Sequence, residues 1–234
     1  MREGEDFDET NMPTMAQASY FAQQAMALRH RSRNLPIIKE GWDVSGAYYR
    51  TYNRFKQWMR PAPGYENGTM VWRLVKCMPG SKDAGHNFSR QFATYLIEVV
   101  GMCQNPSDGS VFFMTKLELF ICLSLHVDDG QSFSNSQSLT DQVYELINKK
   151  FPLKRRKGIN LVTGIYSIDG VDSDGIPYTR FHQQPLLDEA VKLAGQEDGK
   201  ATYTPMKSSW KMYGEHQLVQ DKLKRKALDV FPYA

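Results

Sequence analysis

The sequence has few cysteines and no long apolar run, and both absences narrow the classes of protein to which it can belong. Its three cysteines, Cys77, Cys103 and Cys122, are widely spaced along 234 residues, so they do not make the even set of a disulfide framework, and a reducing compartment is expected. No stretch reaches the roughly 18 apolar residues of a membrane-spanning helix. The first residues also lack the basic-then-apolar pattern of a signal peptide. We therefore expect an intracellular protein, cytoplasmic or nuclear.

Catalytic signatures are missing too. The chain contains no GxSxG elbow, no P-loop and no dinucleotide-binding glycine pattern. Cys122 and His126 share one face of a predicted strand, but no CxxC pair completes a zinc site, so a buried thiol and a surface histidine on the open face are the simpler interpretation. The sequence indicates no catalytic residue, metal, cofactor or small-molecule substrate. A small enzyme whose scattered His and Cys residues converge in space stays open as an alternative.

The segment DGVDSDG, residues 169–175, has the acids of a calcium loop without the full set of ligands. Aligned on Asp172 and Asp174, the first ligand position is Gly170 and the twelfth is Phe181, whereas a calcium-binding EF-hand needs acids at both. We therefore predict an Asp-Gly turn.

Composition predicts a folded chain with one polar extension. The sequence is 41% hydrophobic and 24% charged, with a net charge of +3, which is ordinary for a globular protein. Its first ten residues are acidic, with Arg2 as their single cation: Glu3, Glu5, Asp6, Asp8 and Glu9. We predict a flexible, disordered acidic arm over residues 1–12 and a single domain over 13–234, with the serine-rich stretch 130–138 as its weakest point.

Hydrophobic periodicity predicts both helices and strands. Apolar residues at i, i+3 and i+4 indicate helices at 13–33, at 43–59 after an Asp43 cap, at 138–148 after a Ser138 cap, at 185–194 and from about 215. Alternation indicates strands at 69–78, 116–127 and 159–168, with a polar loop at 128–138. The segment 88–102 fits either pattern, and its β-branched and aromatic residues favour a strand from Gln91. This order of elements predicts an α+β fold in which an antiparallel sheet is flanked by helices.

The predicted helix at 43–59 is rich in aromatic residues and allows two interpretations. Tyr48, Tyr52, Phe55 and Met59 form one helical stripe with the cations away from it, which favours a stripe buried in the core. The alternative is a surface on which the aromatic rings stack on nucleic-acid bases and the interleaved arginines contact phosphates.

The most charged part of the chain is KKFPLKRRKG, residues 149–158, which contains no acid. Its six cations follow the helix at 138–148: Lys149, Lys150, Lys154, Arg155, Arg156 and Lys157. Pro152 favours an extended backbone here. Because clustered cations repel one another, we predict an exposed contact for an anionic partner, or a nuclear-import signal. A solvated loop is the alternative.

One local pattern resembles a known family. KLELFICLSLHVDDG followed by LTDQVYELINKKF is similar to the matrix proteins of rhabdoviruses, in particular those of the plant, nucleus-replicating kind. The resemblance implies a compact α+β domain, self-association and a place in a virion. The acidic N-terminus and the absence of a PPxY motif depart from that family, so no binding residue is transferred.

Three functional hypotheses follow from these features. The first is a non-enzymatic structural protein, viral matrix-like, that associates with itself and contacts an anionic membrane surface or a nucleocapsid. The second is a nucleic-acid-binding protein such as a nucleocapsid or coat subunit. The third is the small enzyme mentioned above. The nucleic-acid hypothesis predicts binding that weakens steeply with salt, whereas self-association through apolar surfaces should not.

Overall fold

The computed structural model describes residues 10–158, 161–162 and 164–195. The chain divides into two units, Met1–Phe181 and His182–Ala234. Most of the predicted acidic arm and the helix predicted from residue 215 lie outside the described residues. In the second unit the described residues hold one helix, α5 (Gln184–Leu193), which has Pro185 in its first turn and ends near Gly195 in the left-handed region, as the sequence predicts.

Among the described residues, the first unit contains the remaining helices and the strands, the last of which ends at the first residue of the second unit. Its helices are α1 (Gln17–Ser32), the single turn α2 (Ala47–Arg50), α3 (Ala84–Tyr95), which continues as a π-helical turn at Leu96–Val100, and α4 (Gln137–Asn148). Its strands are β1 (Ile38–Val44), β2 (Tyr52–Met59), β3 (Trp72–Lys76), β4 (Cys103–Asn105), β5 (Asp108–Lys116), β6 (Leu119–His126), β7 (Asp129–Ser134), β8 (Leu153–Lys157), β9 (Leu161–Val162), β10 (Ile165–Val171) and β11 (Pro177–His182).

An antiparallel six-stranded sheet in the order β4-β5-β6-β7-β1-β8 is the centre of the fold. Two smaller sheets accompany it, β11-β10-β9 and the hairpin β2-β3. Helices flank the large sheet, so the predicted α+β class is confirmed. β8 lies at one edge of this sheet, next to β1, and it contains the last four cations of the basic run.

One face of the large sheet packs against α3 and α4 around an apolar core. Phe88, Phe92 and Leu96 project from α3 at helical spacing and are fully buried. They meet Trp42 of β1 and Phe151, with ring centroids of Trp42 and Phe92 5.8 Å apart. The strand favoured for residue 91 onward is therefore wrong. The i, i+4, i+8 spacing of these large apolar side chains, which lets a helix bury all of them on one face, outweighs the local β propensity of the segment.

The opposite face of the sheet is covered by α1 and is more polar. Gln23 of α1 accepts hydrogen bonds through Oε1 from Ser124 Oγ at 2.6 Å and from Gln131 Nε2 at 3.0 Å. The strand predicted at 116–127 is confirmed from Leu119 onward, and its inner residues are buried. Its second face, however, is covered and not open: Ser124 is fully buried, and Cys122 packs against the small cluster below α1.

The serine-rich stretch predicted as a loop is mostly a strand. Residues 129–134 form β7 in the middle of the large sheet. Its serines are buried because each finds a partner: Ser132 Oγ lies 2.7 Å from Tyr144 Oη, and Ser134 Oγ donates to the Phe120 carbonyl at 2.8 Å. The following helix is confirmed, but its N-cap is Ser136, not Ser138, since Ser136 Oγ accepts from the Leu139 N–H at 3.2 Å.

The helix predicted at 43–59 is wrong. Asp43 lies in β1, Gly46 adopts the left-handed region before the single turn α2, and residues 52–59 are the strand β2. β2 pairs with β3, whose strand prediction is confirmed, in an antiparallel hairpin. The backbone hydrogen-bond partners of β2 lie about twenty residues away in sequence, so the local pattern does not show them.

Candidate nucleic-acid interface

The basic run 149–158 is extended, as predicted, but it belongs to a sheet. Lys149 and Lys150 are exposed after α4, and Lys154 to Lys157 form part of the edge strand β8. Edge strands are often protected by charged side chains against pairing with other chains. The position in the fold therefore offers a structural reason for some of these cations.

Arg155 is held by acids from two other elements. Its guanidinium donates to both carboxylate oxygens of Glu40 on β1, at 2.7 and 2.9 Å, and to Asp141 Oδ1 on α4 at 2.7 Å. It also lies 4.5 Å from the centroid of the Tyr144 ring. Asp141 has a lowered pKa, chiefly because it accepts this hydrogen bond. The six cations are thus not all uncompensated, and Arg155 is a structural residue.

Two further cations of β8 lie beside acids of the neighbouring strands. Lys154 is directly opposite Asp43 in the sheet register, and Arg156 lies 3.9 Å from Asp129. Burial and the nearby Asp128 raise the pKa of Asp129, and Arg156 opposes that rise. The fold therefore brings to the basic run the counter-charges that its own sequence lacks, which makes it a weaker anion site than its composition predicts.

The hairpin β2-β3 presents a second basic surface. The helix predicted at 43–59 did not indicate this surface, because it placed the same residues on different faces. Four alternate residues of β2 are exposed along one face: Tyr52, Arg54, Lys56 and Trp58. Trp58 is paired across the hairpin with exposed Arg73 of β3. We call Tyr52, Arg54, Lys56, Trp58 and Arg73 the hairpin face. The interpretation of Tyr52 as a core residue is wrong, since it is 56% exposed, and Trp58 is 58% exposed.

The hairpin face is supported from behind by polar contacts. Asn53 Nδ2 donates to the carbonyl oxygens of Leu74 and Lys76, at 2.9 and 3.0 Å, and spans the irregular register between the two strands. Gln57 is buried and donates through Nε2 to Asp83 Oδ1, just before α3, at 3.0 Å. Gln91 of α3 exchanges two hydrogen bonds with the backbone of Tyr52. These bonds hold the strand while its other face remains exposed.

Charge is strongly unbalanced around the hairpin face. Residues 50–76 contain six cations and a single acid, Glu66. Lys76 places its Nζ 3.1 Å from the centroid of the Tyr52 ring, a cation–π contact. The sequence signal that identifies this face is an aromatic or basic residue at every second position from 52 to 58, a period of two that fits a strand.

The scattered thiols and histidines do not form a site in the part of the chain that the structure describes. Cys77 is buried and Cys103 is exposed, and no group of three or more His, Cys, Asp or Glu residues able to hold a metal occurs among the described residues. Burial raises the pKa of Cys122 to about 12, so its reactive thiolate is suppressed. The turn predicted at 169–175 is confirmed for its second half, where Asp172 Oδ1 accepts from the N–H groups of Asp174 and Ile176. Residues 169–171 belong to the strand β10.

Comparison with known proteins does not decide between these surfaces. No protein-family model and no curated protein matches the chain. Within the described residues, no helix is long and apolar enough to cross a bilayer. We therefore infer the function from the chemistry of the hairpin face and of the basic run.

Proposed function

We propose that the protein is a non-enzymatic structural protein that binds single-stranded nucleic acid through the hairpin face. The observation that supports this most directly is the exposed row Tyr52, Arg54, Lys56 and Trp58, in which two cations lie between two aromatic rings at alternate positions of one strand. Proteins that bind single strands combine cations for the phosphates with aromatic side chains on which bases of any sequence can stack.

The dimensions of a strand suit this role. Side chains two residues apart on one face of a strand are separated by about 6.6 Å, from a rise of about 3.3 Å per residue. An extended nucleic-acid strand lying along β2 would therefore meet one ring, then two cations, then a second ring. Trp58 is the favoured stacking platform, because the ring of Tyr52 already has Lys76 over it.

Nucleic acid fits this face better than an anionic membrane does. Interfacial membrane binding uses an apolar surface with cations at its margin. On β2 the cations lie between the two rings and not at their margin, and the exposed apolar residues Trp72 and Val75 belong to β3. Lys149 and Lys157 of the basic run remain candidates for a second, weaker anionic contact or an import signal.

Self-association is a second proposal, favoured by a different hairpin. In β10-β11 and its turn, several large apolar side chains are exposed: Ile168, Val171, Ile176 and Tyr178. Exposed apolar patches are typical of protein contact surfaces. Self-association and nucleic-acid binding together would describe a nucleocapsid or matrix-like protein, the class that the sequence pattern resembles. Sedimentation across protein concentration tests self-association, and Ile168→Lys should reduce it.

A binding titration with fluorescent single-stranded RNA tests the main proposal. Stacking is worth about 1–3 kcal/mol per base, and about 1.4 kcal/mol corresponds to tenfold in affinity, so Trp58→Ala should weaken binding roughly tenfold. Phe113→Ala, which removes a ring that is 40% exposed on β5, is the matched control and should bind as wild type does. The double variant Lys56→Gln, Arg73→Gln should lower the slope of log affinity against log salt by roughly 1.4, from about 0.7 per phosphate contact.

Two outcomes would contradict the proposal. Wild-type affinity of Trp58→Ala at low salt would show that the hairpin face is not the site. Flotation with anionic liposomes, together with no binding to RNA, would favour the membrane alternative.

A further inference from the structure

The N-terminal residues have a composition complementary to the hairpin face. Residues 1–9, MREGEDFDE, contain five acids and one cation. Phe7 lies among them, between Asp6 and Asp8. A nucleic-acid strand likewise presents an aromatic base flanked by anionic phosphates. The hairpin face shows the opposite arrangement, with Trp58 between Lys56 on its own strand and Arg73 across the hairpin.

The described part of the N-terminus is fixed to the first unit close to this hairpin. The Asn11 carbonyl lies 2.9 Å from His86 Nδ1, in the first turn of α3. Met12 packs against the apolar core, and the Met15 N–H donates to the Leu125 carbonyl at 3.0 Å. Residues 1–9 therefore extend from a known place at the start of α3.

The start of α3 is also where the hairpin is attached. Asp83 immediately precedes α3 and accepts the hydrogen bond from Gln57 of β2. Lys56 and Trp58 flank Gln57 and project on the other side of the strand. An extended chain spans about 3.3–3.6 Å per residue, so nine residues reach about 30 Å. That is enough to pass around one strand, since even two sheets packed face to face are only about 10 Å apart.

We propose that residues 1–9 occupy the hairpin face of their own chain and compete there with nucleic acid. This inference rests on the proposed function, since it regulates the same site. Each charge contact would be weak by itself because the face is exposed. The arm is tethered, however, and short flexible tethers give effective concentrations in the millimolar range. A weak contact can then occupy the face until a longer polyanion displaces it.

The first test compares RNA affinities of charge-matched variants of the full chain. The arm variant is Glu5→Gln, Asp6→Asn, Asp8→Asn. Its control, Glu118→Gln, Glu145→Gln, Asp174→Asn, removes the same charge from exposed positions elsewhere. At low salt the arm variant should bind single-stranded RNA three- to tenfold more tightly than the control. The difference should vanish as salt rises. Equal affinities of the two variants would overturn the inference while the proposed function stands.

The second test needs no nucleic acid. A carbodiimide that joins carboxylates directly to amines, followed by mass spectrometry, should link Glu5, Asp6 or Asp8 to Lys56 in the wild-type chain. Exposed Lys116 serves as the reference amine, and its yield should be lower. A mixture of isotopically light and heavy protein identifies whether each link is within one chain.

The two tests separate the two proposals. Links to Lys56 within one chain without any RNA binding would support the arm contact and contradict the proposed function. Links confined to Lys116, or found only between different chains, would overturn the contact within one chain whatever the RNA result.

Discussion

The ion pair between Arg155 and Glu40 gives the sharpest test of the fold. The Glu40 side chain is 3% exposed and receives three hydrogen bonds from the Arg155 guanidinium. Arg155→Met keeps most of the aliphatic stem but leaves a buried carboxylate without its cation. Losing one partner of a buried pair costs about 3–5 kcal/mol. We expect the lower end, about 3 kcal/mol, because the Arg155 side chain is 31% exposed.

Thermal unfolding followed by circular dichroism measures this cost. At about 2–4 °C per kcal/mol for a chain of this size, Tm should fall by roughly 6–12 °C. Arg156→Met is the matched control: its side chain is 68% exposed and 3.9 Å from Asp129, so it should change Tm by at most about 2 °C. The double variant Glu40→Met, Arg155→Met should recover much of the loss, since apolar replacement of a buried pair is often nearly neutral.

A specific result would refute this reasoning. If Arg155→Met and Arg156→Met unfold at the same temperature, the Arg155 contacts contribute no more than a surface charge does. The basic run would then be a solvated segment, and its cations would all be available to a partner.

Three further predictions concern other parts of the fold. Ile121→Asp should prevent cooperative unfolding in a thermal scan, because burying an unpaired carboxylate costs several kcal/mol, whereas Leu119→Asp on the more exposed end of the same face should still fold. Burial would raise the pKa of Asp169, but hydrogen bonds from Lys39 and others outweigh it and lower the pKa. This stabilisation is present above the unfolded pKa of about 3.9 and is lost as pH falls through the lower folded value, so Asp169→Asn should cost about 1 kcal/mol in urea unfolding at pH 7 and progressively less as the pH falls below about 3.9. Val127 has a φ of 60° in the two-residue turn between β6 and β7, where a β-branched residue is strained, so Val127→Gly should raise stability by about 1 kcal/mol, and a lower Tm would contradict this.

The parts of the fold that the sequence predicts correctly are those in which local pattern and tertiary packing agree. The strand around Ile121 alternates strictly in sequence, and Ile121, Leu123 and Leu125 on its apolar face are in fact buried. The helix α4 has a capping serine, an amphipathic stripe and no competing pattern. In both elements the residues that determine the structure lie within one short window, so the sequence contains the necessary information.

The errors occur where distant residues decide the structure. β7 is polar in sequence because it contains serines. These serines can be buried only because partners such as Tyr144 and the Phe120 carbonyl satisfy their hydroxyl groups. The cations of β8 appear unpaired because Glu40 lies more than a hundred residues earlier. Neither the burial of a serine nor the pairing of an arginine can be deduced from its neighbours in the chain.

The error at 43–59 changes the functional conclusion as well as the fold. Read with a period of 3.6, Tyr52 belongs to a buried stripe and the cations lie outside it. Read with a period of two, as β2 requires, Tyr52, Arg54, Lys56 and Trp58 share one exposed face. The same residues thus change from a core element into a surface on which rings and cations lie together. What selects between the two is the pairing with β3 and the hydrogen bonds from Asn53 across it, so the candidate site could be inferred only after the hairpin was known.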